Sequence, residues 1–259
     1  MKVFPVIISI LMAWVMVICA RDVVAEDLVQ RDYAISDIAA VEVHGGGEMT
    51  IALGDQESLQ ITAPRSVLER MQVDGKGPTL RIRQKGQWFW QHDESHAKYT
   101  LTVKSLRALE STGALNIAVK DAVRSDELII RTTGASGLTF EQPVAVKHID
   151  ARMTGAGELH VPQLNAEKLE IHANGAAEIH LGGEVITQEL HFNGASEYHA
   201  AELASKQVTL KFAGASEATL NVTDSLKAIM SGASTVRYLG DPNIEKQLAG
   251  PSELVRIQK

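Results

Sequence analysis

Four segments in the second half of the chain repeat one pattern around a Gly-Ala pair. They are ARMTGAGELHV at residues 151–161, IHANGAAEIHL at residues 171–181, LHFNGASEYHA at residues 190–200 and LKFAGASEATL at residues 210–220. Apolar and polar residues alternate on both sides of each glycine, which is the period of a β-strand with one buried face. The pattern predicts two strands joined at a glycine in every repeat.

The glycine at the centre of this pattern returns at a nearly constant interval. Its copies are Gly113, Gly134, Gly155, Gly175, Gly194, Gly214 and Gly232, and Gly250 takes the same place in a last copy. The intervals are 21, 21, 20, 19, 20, 18 and 18 residues. Because glycine permits a positive φ without a Cβ clash, we interpret these residues as structural corners. Each repeat then consists of a strand, a glycine corner, a second strand and a looser corner.

Two short strands cannot bury an apolar face alone, but stacked repeats can. Equivalent strands placed about 4.8 Å apart form parallel, in-register ladders around one core. We therefore predict an all-β fold, a right-handed single-stranded parallel β-helix (β-solenoid) with coils of about 20 residues, the handedness following the rule for parallel crossovers. An antiparallel sandwich is the alternative, although its strands need not keep matching turns in a constant phase.

The chain before the regular repeats predicts a cap for the solenoid. Residues 41–51 (VEVHGGGEMTI) have the pattern of one early coil, and residues 66–71 that of a short helical turn. Because an open coil end exposes unpaired backbone groups, we expect residues 26–110 to supply capping strands and a first coil. Solenoid repeats then fill residues 111–259.

The first 25 residues have the parts of a secretory signal peptide. Lys2 supplies a positive start, residues 3–20 are almost continuously apolar, and a cleavage site ends at Ala25. Cleavage after Ala20, lipidation of Cys19 and an uncleaved anchor are the alternatives. We predict an exported protein, periplasmic or on the cell surface. Cleavage after Ala25 removes the only cysteine, so the mature chain would fold without a disulfide.

Composition and charge exclude several classes of function. Hydrophobic residues make up 45% of the chain and charged residues 22%, which is typical of a globular protein. The formal net charge of −7 argues against a nucleic-acid partner, for which a basic stripe is expected. The sequence has no Ser-His-Asp grouping, phosphate loop or dinucleotide motif in the required context. We therefore predict no enzymatic activity, no catalytic residues and no cofactor.

Glutamate and histidine recur at fixed places after the repeat glycine. The residues are Glu158, His160, Glu178, His180, Glu197, His199 and Glu217. Stacked coils would align them in an outward ladder, where carboxylates about 4.8 Å apart repel by roughly 1 kcal/mol per pair in water. Three interpretations stay open: a solvated face on which Glu and His pair, a divalent-metal site built from imidazole and carboxylate ligands, and the surface of a polysaccharide-acting enzyme. No metal is firmly assigned.

Trp88, Phe89 and Trp90 form an aromatic cluster in a chain with only 5% aromatic residues. We expect them in a loop or hairpin and treat them as a candidate surface for contact with a partner. The alternative is a structural role, in which they plug the first coil.

The Gly-Ala-Ser/Gly-Glu repeats, the glycine-rich strand at residues 41–51 and the signal peptide resemble the head GIN domain family over residues 35–237. Its members are described as heads of auto-transporter adhesins. The resemblance implies a right-handed β-solenoid on an exported bacterial protein. Because no catalytic constellation stands out, we predict a binding, adhesion or structural role in the cell envelope. The expected partner is an envelope or extracellular ligand, a glycan or a protein, and end-to-end self-association of the solenoid is a further expectation.

Overall fold

A computed structural model describes residues 27–85 and 97–258 of the chain. Its elements are β1 (Leu28–Tyr33), β2 (Ala40–Leu53), β3 (Ser58–Pro64), α1 (Arg65–Arg70), β4 (Met71–Asp74), β5 (Thr79–Gln84), β6 (Lys98–Val103), β7 (Ala108–Val119), β8 (Val123–Gly134), β9 (Gly137–Phe140), β10 (Val144–Gly155), β11 (Glu158–Gly175), β12 (Glu178–Gly194), β13 (Glu197–Gly214), β14 (Glu217–Gly232), β15 (Thr235–Leu239), β16 (Asn243–Ala249) and β17 (Glu253–Arg256). The fold is the predicted β-solenoid. The predicted signal peptide lies outside the described residues, and within them no helix has the length and apolar character needed to cross a membrane.

From β7 onward the coils stack in chain order as parallel, in-register ladders. β11 pairs with β12, β12 with β13 and β13 with β14, each with like residues opposite one another. The sequence predicted two short strands per coil, whereas these strands continue through the second corner. At the second corner the neighbouring strands stay paired, and only the register of their pairing shifts, for example between Val161 and Leu164. Each strand therefore runs through this corner without interruption.

The repeat glycines form one column along the solenoid, with Gly113, Gly134, Gly155, Gly175, Gly194, Gly214 and Gly232 each paired to the next. Their φ angles lie between 99° and 138°. At each corner the amide after the glycine donates to the glycine carbonyl of the preceding coil, as from Ala195 N to Gly175 O at 2.8 Å. A Cβ on Gly194 would collide with that same carbonyl oxygen, so this position requires glycine on two grounds.

The core inside the coils is a set of stacked apolar columns. Ile171, Leu190 and Leu210 are fully buried in one of them, and the rings of Phe192 and Phe212 stack with centroids 4.7 Å apart in another. A buried polar pair is satisfied internally, since the Tyr198 hydroxyl donates to Gln188 Oε1 at 2.6 Å. Tyr198 therefore points into the core.

The N-terminal strands do not stack in chain order. β2 is a coil in phase with the repeats, because Gly45 pairs with Gly113 of β7. Its other edge pairs with β5 and β6, which come later in the chain. β2 is therefore inserted between two coils that follow it in sequence. The antiparallel strands β3 and β4 pair with β6 and β5 respectively, and α1 buries Val67 and Leu68.

An ion cluster holds β2 against β5 in this unusual order. Glu42 accepts hydrogen bonds from Arg83 Nη2 at 2.6 Å and from Arg81 Nε at 3.0 Å, and His44 Nε2 lies 2.9 Å from the same carboxylate. The Arg83 hydrogen bond is the main cause that lowers the pKa of Glu42 to about 2. The carboxylate is therefore ionised and paired across the whole physiological pH range.

The last described coil places charges at inward positions. Lys246 of β16 stands opposite Ala228, and Arg256 of β17 opposite Tyr238, both of which belong to buried columns. Beside them lie the exposed apolar residues Ile244, Leu248 and Val255. Lys246 is exposed and Arg256 pairs with Asp241 at 2.8 Å, and charges on an edge strand oppose the addition of another strand. This arrangement disfavours the end-to-end association that the sequence left as an expectation.

Replacing Gly194 with alanine is expected to destabilise the protein far more than the same change at Gly45. Gly194→Ala combines a positive φ with the backbone clash described above, for a loss of about 2 kcal/mol or more. Gly45 lies in the same column, but it has no positive φ, and a Cβ there would come no closer than 3.8 Å to other atoms. Thermal and urea unfolding of both variants measure the difference, and equal midpoints would contradict the role assigned to the corner.

Removing the inward charges of the last coil is expected to cause self-association. The double variant Lys246→Leu, Arg256→Leu exposes an apolar edge with unpaired backbone groups, so it should form concentration-dependent dimers or larger species while the native chain stays monomeric. Lys211→Leu, on an outward column, is the control. Analytical ultracentrifugation gives the readout. A native chain that already associates through β16 and β17 would show this interpretation to be wrong.

Candidate functional site

The seven predicted glutamate and histidine residues occupy two neighbouring columns on the outside of the solenoid. Glu158, Glu178, Glu197 and Glu217 pair in succession along one column, and His160, His180 and His199 along the other. We call these seven residues the Glu/His ladder. The alignment arises because the glycine corner lies just before them, so their register is fixed before the second corner can shift it.

Within the ladder, glutamate pairs with histidine along β12 and β13, and the histidines of these two strands stack on each other. His180 Nε2 lies 2.8 Å from Glu178 Oε1, and the His180 and His199 rings are nearly parallel with centroids 4.5 Å apart. The hydrogen bond from His180 lowers the pKa of Glu178, which keeps that carboxyl ionised. His160 is further from His180, with ring centroids 6.0 Å apart.

The centre of the ladder brings three potential metal ligands together. One donor atom each from Glu178, His180 and His199 lies within 4.8 Å of the others. The ladder histidines also line an open cleft of about 420 Å³, whose wall includes Gly182 and Glu202. Gly182 pairs with Glu202 just after a register shift. The sequence pattern does not reveal Glu202, because that shift breaks the constant spacing from the repeat glycine.

A second Glu/His cluster lies on another ladder of the same coils. The rings of His172 and His191 stack with centroids 4.6 Å apart, and His172 Nε2 lies 3.0 Å from Glu170 Oε1. Unlike the centre of the Glu/His ladder, this cluster contains a cation. Lys168 Nζ lies 3.0 Å from Glu189 and 3.3 Å from Glu170, and these contacts raise the pKa of Lys168. Burial, and after it the neighbouring His172, lowers the pKa of His191.

A groove of about 570 Å³ runs along a third ladder and crosses six coils, from residues 125–126 to residue 223. At the usual coil spacing its length is roughly 24 Å. Its floor is a column of small side chains only 2–7% exposed: Val146, Ala166, Val185 and Ser205. Along its rim lie Asp126, Lys147, Glu167, Ile186 and Lys206. We call this surface the axial groove; the sequence analysis did not identify it.

The rim of the axial groove alternates in charge and is interrupted by one exposed apolar side chain. Lys147 Nζ lies 2.8 Å from Asp126 Oδ1, while Ile186 is 47% exposed. A polar rim over an apolar floor is typical of binding sites.

Trp88, Phe89 and Trp90 lie outside the described residues, so their role as a contact surface stays a prediction.

The stacked coils and their repeated outward columns define a β-solenoid whose sides carry regular arrays of side chains. A family model matches residues 37–242, and the chain belongs to the family described as "Putative auto-transporter adhesin, head GIN domain". The resemblance inferred from the repeats is therefore confirmed. No protein of curated function matches the chain.

Crystal structures of bacterial proteins share this fold. A "putative adhesin" from Parabacteroides merdae matches with a TM-score of 0.81 and 20% identity over 90% of this chain and 98% of its own. A "Putative lipid binding protein" from Parabacteroides distasonis matches with a TM-score of 0.80 and 19% identity, over 90% of this chain and 98% of its own. A "putative adhesin" from Bacteroides fragilis has a TM-score of 0.64, with 20% identity and coverage of 90% and 98%. At these identities the likeness concerns the fold.

Proposed function

We propose that this chain is an exported, non-enzymatic binding module of the bacterial cell envelope that holds an extended partner, a glycan or a polypeptide, along the axial groove. The observation that carries the proposal is the groove itself. It crosses six coils with an apolar floor and a rim of alternating charge. Because its columns repeat at the coil spacing, it suits a linear partner better than a compact one. The family description and the names of the structural neighbours support a binding role.

The charge state of the Glu/His ladder favours binding over glycoside hydrolysis. A glycosidase needs one carboxyl group with a raised pKa to act as general acid. In the ladder the hydrogen bond from His180 shifts the pKa of Glu178 in the opposite direction. Glu217 is paired with Arg237 Nη1 at 3.1 Å. Glu178 is therefore poorly suited to donate a proton to a leaving group.

The rim variant Ile186→Asp is expected to weaken partner binding at least tenfold, because it puts a charge where the groove is apolar. Ile244→Asp is a matched control, since Ile244 has a similar exposure, 43% against 47%, and lies outside the groove. Glycan arrays and immobilised envelope polymers, followed by titration of each hit, give the affinities. Equal binding by the two variants would place the partner elsewhere, and turnover of a bound glycan that Glu178→Gln abolishes would favour an enzyme.

Export is tested by the N-terminus of the protein recovered from bacterial cells. We expect a chain in the periplasm or at the cell surface that begins after Ala25 or after Ala20, as measured by intact mass. A variant lacking residues 2–25 should stay in the cytoplasm. Full-length protein found in the cytoplasm would be incompatible with the proposal.

A further inference from the structure

We propose that the centre of the Glu/His ladder is a site for one divalent transition-metal ion, bound by Glu178, His180 and His199. This site goes beyond the binding function proposed above and does not depend on the axial groove. It is carried by the geometry of three donors on two adjacent coils and by a difference in charge between the two Glu/His clusters.

The three donors are close enough for one ion to bind them after small side-chain rotations. Their ligand atoms lie within 4.8 Å of one another, while a tetrahedral ion with bonds of about 2.1 Å holds its donors roughly 3.4 Å apart. The side chains of His180, His199 and Glu178 are 35%, 45% and 57% exposed, so they have room to rotate. The strands beneath them are fixed in register, so the site requires no change in the backbone.

The local charge favours a cation. Within residues 27–85 and 97–258, Glu178 and Glu197 pair with ladder histidines by contacts of 2.8 and 3.3 Å, and Glu217 forms an ion pair with Arg237 at the far end. Stacked carboxylates about 4.8 Å apart repel one another. A divalent ion between two coils would offset that repulsion and use the imidazoles as neutral ligands.

The donor types select the class of metal. Two imidazoles and a carboxylate suit zinc and neighbouring first-row ions, whereas calcium and magnesium prefer sites made of oxygen ligands. The adjoining cleft, with Glu202 in its wall, leaves an open side for a fourth ligand. Zn²⁺ is therefore the appropriate probe.

The second Glu/His cluster provides an internal comparison. His172 and His191 stack as closely as His180 and His199 do, and Glu170 is placed like Glu178. There, however, Lys168 already neutralises the carboxylates, and Arg152 and Lys211 occupy the histidine column on either side. Two clusters with the same residue types should therefore differ in metal binding because one contains its own cation.

Calorimetric titration of the metal-free exported chain with Zn²⁺ tests the assignment. We expect one ion per chain and a rise in the thermal midpoint on binding. His180→Ala and His199→Ala should each weaken binding at least tenfold, and the double variant should abolish it. His172→Ala and His191→Ala should leave the affinity unchanged, and Ca²⁺ and Mg²⁺ should not compete.

Each alternative outcome has a distinct meaning. No uptake of Zn²⁺ by the native chain, uptake that survives the double variant, or an equal loss in His172→Ala would overturn the assignment. Melting of the metal-free variants at the native temperature shows that they are folded. Because Ile186→Asp lies in the axial groove and outside the ladder, it should bind Zn²⁺ normally, so failure of the metal site and failure of the groove are told apart.

Discussion

The close contact of backbones at the glycine corner is the constraint on which the rest of the structure depends. The amide of Ala195 donates to the carbonyl of Gly175 at 2.8 Å, and a Cβ on Gly194 would occupy the space beside that oxygen. The contact recurs once per coil and so fixes one residue of each coil directly over its counterpart. Because strand side chains alternate between faces, a slip of one residue would turn the outward columns inward. The glycine column therefore determines which side chains face the solvent as well as which ones fill the core.

A solenoid that keeps register this strictly must resolve the repulsion between like charges that it stacks. The two Glu/His clusters do so differently. Around Glu170 and Glu189, Lys168 bridges the carboxylates of two adjacent coils. In the Glu/His ladder, histidines partner the central glutamates. A column of carboxylates that is bridged by lysine already has its cation, whereas the centre of the Glu/His ladder has no lysine or arginine partner among the described residues.

The sequence predicted the parts of the structure that lie a fixed distance from the repeat glycine. The coil order from β7 onward, the buried columns and the alignment of Glu158 with Glu178, Glu197 and Glu217 all follow from that spacing. The axial groove and Glu202 could not be placed in this way, because the second corner shifts the register by different amounts in different coils. β2 shows another limit. Its pattern predicted a coil in phase with the others, but phase does not determine which coil lies beside it.

The first and last described coils differ from the coils between them. At one end antiparallel strands and α1 follow the first coils, and at the other Lys246 and Arg256 place charge in columns that are buried elsewhere. Arg256 pairs there with Asp241 Oδ1 at 2.8 Å and Lys246 is exposed, so a further strand at that end would have to take both charges out of water, which is costly. The sides instead carry columns that repeat with every coil, and adding a coil lengthens each column without changing its chemistry. Affinity for a linear partner can therefore increase with the number of coils, which is an advantage that a stacked architecture has over a single compact pocket.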